Sequence, residues 1–312
     1  MSTSFEIRIL LALLILGVSP VSAQERLPII DMHMHAYASL PRTPAGQPEP
    51  RPCYAEPSCE RVPAAARADA DVLRLTLEAM NQYNIVLGFL SGATETVDKW
   101  VDAAPNRFLP SREINDPTRV DVTTLRSAYQ SGKLRGIGEL TNPYQGIAAN
   151  DPLMDPIYAL AEELDLPVLA HTGGTAGSSA KFQIAQGHPE LLQHVLVRHP
   201  RLRLYLGHAG FPLLDETISL LYRYPNVYAD LGAIPWIFPR AMLLRYLRGL
   251  VDAGLTKRLM FGSDQMTWPE TIGVAIEAIE SVEFLTPEQK RDIFYNNAAR
   301  FLRLPNGPAK QN

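Results

Sequence analysis

A chain of 312 residues, 46% hydrophobic and 20% charged, has ordinary globular composition, which excludes an extended disordered protein. The length suits one large α/β barrel or two ordinary domains. A formal net charge of −4, with no block of like charges, argues against nucleic acid, an anionic membrane surface or a phosphate-rich polymer as partner.

The N-terminus reads as a secretory signal peptide. Met1–Arg8 is polar with one arginine, Ile9–Val18 is a nearly unbroken apolar run, and Val21-Ser22-Ala23 supplies small residues for cleavage before Gln24. The apolar run is short for a bilayer span. The expected mature chain is therefore one domain over residues 24–312, periplasmic or secreted and free of the membrane after cleavage. Glu6 and Arg8 cancel, so its net charge stays at −4.

Ile29–His35 (IIDMHMH) follows as the first strand. The period of two puts His33 and His35 on one face and Met32 and Met34 on the other. Two imidazoles at a strand's end hold a metal ion from one side; a satisfied pair of core histidines is the alternative. Ala38–Pro63 is dense in proline and reads as a long loop, of the kind used as an active-site lid. It carries both cysteines, Cys53 and Cys59, which in an exported protein are expected to form a disulfide.

The chain then alternates. Helices are expected over 64–83, 94–104, 120–131, 152–164, 189–198, 213–224, 239–253, 269–282 and 287–302. Strands are expected over 85–90, 107–114, 134–140, 167–170, 202–206, 227–231 and 259–261. Eight strands alternating with helices, none obviously hairpin-joined, predict a parallel α/β fold, and the count favours a closed (β/α)8 TIM barrel.

The chemistry-bearing residues fall at strand ends: His33 and His35 on the first, Glu139 on the fourth, His171 after the fifth, His208 after the sixth and Asp264 after the eighth. In a barrel these ends meet at one mouth. Imidazoles and carboxylates without cysteine suit zinc, manganese or iron, and six such groups leave room for a second ion or for acid–base work. Simple alternatives remain for each. His171 and His208 could serve glycine-rich turns, Asp264 could cap a helix, and Glu139 could hold a histidine tautomer or pair with an arginine.

Asp31-Met-His33-Met-His35, Gly138-Glu139, His171-Thr-Gly, Gly207-His208-Ala-Gly210, Phe261-Gly-Ser-Asp264 and the closing Asn296-Asn297-Ala298-Ala299-Arg300-Phe301-Leu302 stand in this order. Together they resemble the amidohydrolase superfamily, in its amidohydrolase-related branch of metal-dependent hydrolases and decarboxylases. The resemblance implies that His33, His35, His171 and Asp264 hold the metal, most simply zinc. It implies that His208 binds a second ion or steers the attacking water. It also implies that Glu139 takes the place of a bridging lysine, since Lys133 precedes the strand.

Three functions follow as expectations. The first is a hydrolase that activates water to cleave an ester, lactone or amide of a small molecule, with Asp264 as proton shuttle and His208 stabilising developing charge. The second is a metal-dependent non-oxidative decarboxylase, in which Asp264 delivers a proton to carbon. The third is a non-catalytic periplasmic binding protein. Tyr37, Trp236 and Trp268 are candidate walls for the substrate or ordinary packing on the barrel rim. Arg112 is a candidate partner for its carboxylate or, as its preferred reading, a structural partner of Glu113 or Glu139. The stretch 172–186, with Lys181, reads as a flap, and His188, His194 and His199 as surface residues. Whether the protein is monomeric or a homo-oligomer stays open.

Overall fold

The computed structural model describes residues 26–39, 65–66, 68–174 and 179–305. The expected signal peptide, most of the proline-rich loop with Cys53 and Cys59 and their expected disulfide, and the last seven residues lie outside these. Among the described residues no helix is long and apolar enough to cross a membrane.

Eight strands, β1 (Ile29–His35), β2 (Ile85–Ser91), β3 (Phe108–Ile114), β4 (Gly136–Leu140), β5 (Pro167–His171), β6 (Arg203–Gly207), β7 (Tyr228–Asp230) and β8 (Leu259–Met260), stand in sequence order, each parallel to the next. The seam between β8 and β1 is drawn together by Met32 N–H to the Phe261 carbonyl at 2.9 Å and Asp264 N–H to the His33 carbonyl at 2.7 Å. The result is the expected (β/α)8 TIM barrel, with helices 69–82, 94–103, 122–130, 155–163, 192–198, 214–223, 240–252 and 271–280 following the strands in turn.

Strand parity divides the core. Outward residues such as Ile137, Val168, Ala170, Leu204 and Leu206 join the helices in one large cluster. Ile30, Met32, Phe89, Leu169, Tyr205 and Met260 form a second cluster, closed by Ala298, Ala299 and Phe301 of the last helix. Each such side chain, fully removed from water, contributes on the order of 1.5–3 kcal/mol.

Three local readings are corrected. Met32 does not share a face with Met34: the β1–β2 register shifts between Asp31 and Met34, so Met32 packs in the inner cluster while Met34 joins the outer one. The expected helix 287–302 is broken by a π turn over 292–296, where the Ile293 carbonyl accepts from Phe261 N–H at 2.8 Å. The helices expected from 152 and 189 begin as 3-10 turns, over Pro152–Met154 and Pro189–Leu191, and become α-helical at Asp155 and Leu192.

Candidate metal centre

Six buried side chains converge at the C-terminal ends of the strands. His33 and His35 leave β1 on the same side, with Nε2 atoms 3.6 and 3.5 Å from Glu139 Oε2. The same nitrogens lie 3.7 and 3.1 Å from Asp264 Oδ1. The other edge of Glu139 faces different partners: Oε1 is 2.8 Å from His171 Nδ1 and 3.3 Å from His208 Nε2. One carboxylate therefore stands between two pairs of imidazoles.

The backbone explains how these groups come so close. Gly138 has φ +128, and a Cβ there would lie 2.5 Å from the Leu169 carbonyl oxygen, so only glycine lets β4 approach β5 just before Glu139. His208 and Asp264 sit at φ +58 and +52, turning their side chains back over the mouth. Gln265 clamps the end of β1, accepting from His35 N–H at 3.0 Å and donating to the His35 carbonyl at 2.7 Å.

The electrostatics match the geometry. Burial alone would strip the proton from His33, but the carboxylates of Asp230, Asp264 and Glu139 outweigh it and hold this imidazole well above its usual range. Burial would likewise neutralise Glu139, yet the His33 charge and hydrogen bonds from His171 and His208 keep it well below the ordinary carboxylate range. Asp264 is lowered for similar reasons, with His33 and His35 overcoming the cost of burial. Asp31 is different. Its carboxyl is pushed by burial up to about 7, against hydrogen bonds from Ser263 and His33, and its Oδ2 has no hydrogen-bond partner among the described residues.

These residues fit a divalent cation. Three overlapping groups could hold one, each with ligand atoms within 4.8 Å of one another: His33, His35 and Glu139; Glu139, His171 and His208; His33, His208 and Asp264. His33 Nε2 is buried with no hydrogen-bond partner, while its Nδ1 lies against the Asp230 carboxylate at 3.1 Å. A ligating imidazole is arranged this way, one nitrogen anchored and the other offered. His208 repeats the pattern, with Nδ1 3.0 Å from the Gly232 carbonyl and Nε2 turned to Glu139.

The expected substrate contacts divide. Tyr37 stacks on His35 with ring centroids 4.5 Å apart and donates its hydroxyl to Glu113 Oε2 at 3.0 Å. Arg112 does not reach the mouth, which corrects its candidate role as a substrate contact. Alternation along β3 sends Glu113 towards Tyr37 and turns Arg112 to the helix layer, where it donates to Asp98 Oδ1 at 2.7 Å. Trp236 is corrected too: only 1% exposed, it spends its indole N–H on the Ser263 carbonyl at 2.7 Å and is a packing residue. Trp268 packs 6.5 Å from it, largely buried.

The described part of the expected flap is fastened to the loop after β4. Ser179 donates to the Tyr144 carbonyl, Lys181 to Gln145 Oε1 at 3.1 Å and Gln186 to the Gly146 carbonyl at 2.6 Å. It carries Phe182 to within 6.3 Å of the His171 ring. His194 is exposed and His188 half-buried, but His199 is buried, between Asp155 and Glu162 at 3.3 and 3.5 Å.

Sequence reasoning missed two groups at the centre. Asp230 ends β7, a strand of three residues, and anchors His33. Tyr144 brings its hydroxyl to 3.2 Å from His171 Nδ1 from a loop, with no periodicity to announce it.

Comparison with known proteins agrees with this geometry. Residues 30–304 match the Amidohydrolase (Amidohydro_2) family model. The chain resembles an uncharacterized TIM-barrel protein from Bordetella bronchiseptica, with TM-score 0.60 and 20% identity over 89% of this chain and 99% of that one. It resembles a probable 2-pyrone-4,6-dicarboxylic acid hydrolase from Acinetobacter baumannii, with TM-score 0.58 and 14% identity over 88% and 99%. A third similar structure is 2,6-dihydroxybenzoate decarboxylase from Rhizobium, with TM-score 0.56 and 16% identity over 91% and 100%. At these identities the likeness establishes the fold. Among curated proteins, Protein fluG of Emericella nidulans is 24% identical over 157 residues, a match that spans 46% of this chain and 18% of that much longer protein.

Proposed function

Because the chain belongs to the amidohydrolase family, whose members are metal-dependent hydrolases or decarboxylases, we propose that it is a metal-dependent hydrolase cleaving an ester, lactone or amide bond of a small molecule. The observation that carries this reading is the two-sided Glu139. Its Oε2 faces the β1 histidines and its Oε1 faces His171 and His208, an arrangement suited to a carboxylate shared by two cations.

A divalent cation held there would lower the pKa of water and polarise a carbonyl. His33, His35 and Asp264 would form one side of the cradle and His171 and His208 the other. Asp264 stays ionised at neutral pH, held down by the surrounding imidazoles against its burial. It is therefore the group to accept the water's proton and return it to the leaving group. The Gly232 carbonyl accepts from His208 Nδ1 and leaves Nε2 to a cation. Burial would lower this imidazole, but the Glu139 hydrogen bond and the Asp264 charge outweigh it and raise it, which suits it equally to stabilising developing charge. Tyr37 and Phe182 would flank the substrate. Zinc is the expected metal, although a manganese-bound 5-carboxyvanillate decarboxylase from Novosphingobium aromaticivorans, a structural neighbour with TM-score 0.54, makes manganese the first rival.

Non-oxidative decarboxylation is the second reading, favoured by the decarboxylases among the neighbouring folds. In that reading the metal cation would hold the substrate's carboxylate and a neighbouring oxygen, and Asp264 would deliver a proton to carbon. Export remains part of the proposal: protein recovered from a periplasmic or secreted fraction should begin at Gln24.

Metal content per chain, measured by inductively coupled plasma mass spectrometry on wild type and Glu139→Gln, tests the reading. Two ions falling to one or none in the variant, with hydrolysis of a panel of esters, lactones and amides, supports it. One ion in both moves Glu139 out of the bridge and brings decarboxylation level with hydrolysis. No ion after reconstitution overturns metal dependence.

A further inference from the structure

We propose that Asp230, at the end of β7, is the positioning residue that fixes the tautomer of His33, so that the His33 side of the centre can take a cation only while this carboxylate is intact. The proposal rests on the metal-dependent reading above. Both residues are fully buried, and His33 Nδ1 lies 3.2 Å from Asp230 Oδ1 and 3.1 Å from Oδ2. Oδ1 also accepts from the backbone N–H of Gly232 at 2.6 Å and of His208 at 3.4 Å. Those two donors hold one oxygen in place and leave the other to the imidazole.

The pocket is shaped around this contact. A Cβ at Gly232 would lie 2.7 Å from His33 Nδ1 and 2.8 Å from Asp230 Oδ1. One at Gly262 would lie 2.7 Å from His33 Cβ and 3.0 Å from Asp230 Oδ1. Two glycines, one after β7 and one after β8, are thus needed for imidazole and carboxylate to meet. With Nδ1–H donated to an acceptor that has nowhere else to point, Nε2 is the nitrogen left to give up its proton and offer a lone pair to a cation; it is buried without a hydrogen-bond partner and faces Glu139 and Asp264.

This arrangement makes an unusual demand on substitutions. In Asp230→Asn the side-chain oxygen stays with the Gly232 and His208 N–H donors, which sets the amide NH2 against His33 Nδ1. Donor then faces donor. The imidazole relieves the clash by carrying its proton on Nε2, which removes the lone pair from the metal side. Asp230→Ala removes the acceptor without imposing the wrong proton. A role confined to shape predicts that the isosteric Asn is the milder change; tautomer control predicts that Asn is at least as harmful as Ala.

The test is the zinc dissociation constant of wild type, Asp230→Asn and Asp230→Ala, measured by chelator competition, with thermal midpoints as folding controls. Wild-type binding weakened about 10- to 100-fold in Asp230→Asn, and no more than that in Asp230→Ala, is the expected result. Long-range 1H–15N correlation on zinc-loaded wild type should show a proton on His33 Nδ1. Wild-type affinity in Asp230→Asn, or His33 Nδ1 without its proton in the loaded wild type, overturns the proposal; the second readout stands even where the variants do not fold. Failure of the wild type to bind zinc or manganese sinks the metal-dependent reading instead, so the two failures are distinct.

Discussion

The two ends of the barrel solve the same backbone problem with different residues. Turns entering the strands place Asn84, Asn106 and Asp165 at positive φ, with Gly132 and Gly254 doing likewise. These residue types accept the left-handed region at little cost. Turns leaving the strands place His208, Ala209, Ala233, Asp264 and Met266 there, at φ between +46 and +63. Such residues pay about 1–3 kcal/mol each, and together they approach the net stability of a typical domain, roughly 5–15 kcal/mol. The strain falls where the ligating groups are. At the entering end the side chain suits the turn. At the leaving end Gly92, Gly173 and Gly210 do the same, but the turn is also imposed on His208 and Asp264, which carry chemistry, and on Ala209, Ala233 and Met266 beside them, and the packed core offsets the cost.

The sharpest way to test that division is to change one group at each end. Asp264→Asn at the mouth should lower kcat by about 10²–10⁴-fold, with metal still bound and thermal midpoint little changed; retained turnover would remove Asp264 from proton transfer. Phe301→Ala should do the reverse. Phe301 packs against Tyr205 and Tyr228 with centroids 5.3 and 5.1 Å away, and its truncation should cost about 3–5 kcal/mol in denaturant unfolding while metal stoichiometry of the folded fraction is unchanged. Loss of metal in that variant would mean that the two ends are coupled.

A pH experiment addresses Asp31, which lies between the two ends. Its folded carboxyl keeps a proton up to about 7, whereas the unfolded chain releases it near 3.8. Between those values the folded state binds more protons, so this group's contribution to stability falls as pH rises and is flat above. The gap corresponds to as much as ~4 kcal/mol. Asp31→Asn should therefore match wild type near about pH 4 and exceed it in stability above about pH 7; equal stability across that range would show that the carboxyl is ionised in the fold. The smallest effect belongs to Ala233→Gly, which relieves φ +63 and should raise stability by about 1 kcal/mol without altering metal content.

Much of this was legible in the chain because a (β/α)8 barrel repeats one unit and its chemistry sits at one end of it. His33, His35, Glu139, His171, His208 and Asp264 were identified by position at strand ends, and the structure gathers all six. Asp230 escaped because β7 is three residues long and Ala-Asp-Leu carries no periodic signal. Tyr144 and Phe182 reach the site from loops, through contacts between the segments after β4 and β5 that no local pattern encodes. Trp236 was misread because a large aromatic after a strand can line a mouth or fill a core, and only packing decides. Arg112 has the structural role preferred for it, but its parity on β3 gives it Asp98 as partner in place of Glu113 or Glu139. The parity of Met32 was lost to a single register shift.

The seam between β1 and β8 has a consequence for the order of events in assembly. His35 N–H is held by Gln265, Asp264 N–H by the His33 carbonyl, and Ser263 N–H by Asp31, contacts that join positions about 230 residues apart in the chain. Closing so long a span is slow compared with forming any neighbouring strand pair. Asp264 cannot join His33 and His208 until that ring has shut, whereas His33, His35 and Glu139, and Glu139, His171 and His208, need only the strands from β1 to β6. The group completed by Asp264 is therefore the last of the three to assemble, and it alone depends on the closed ring.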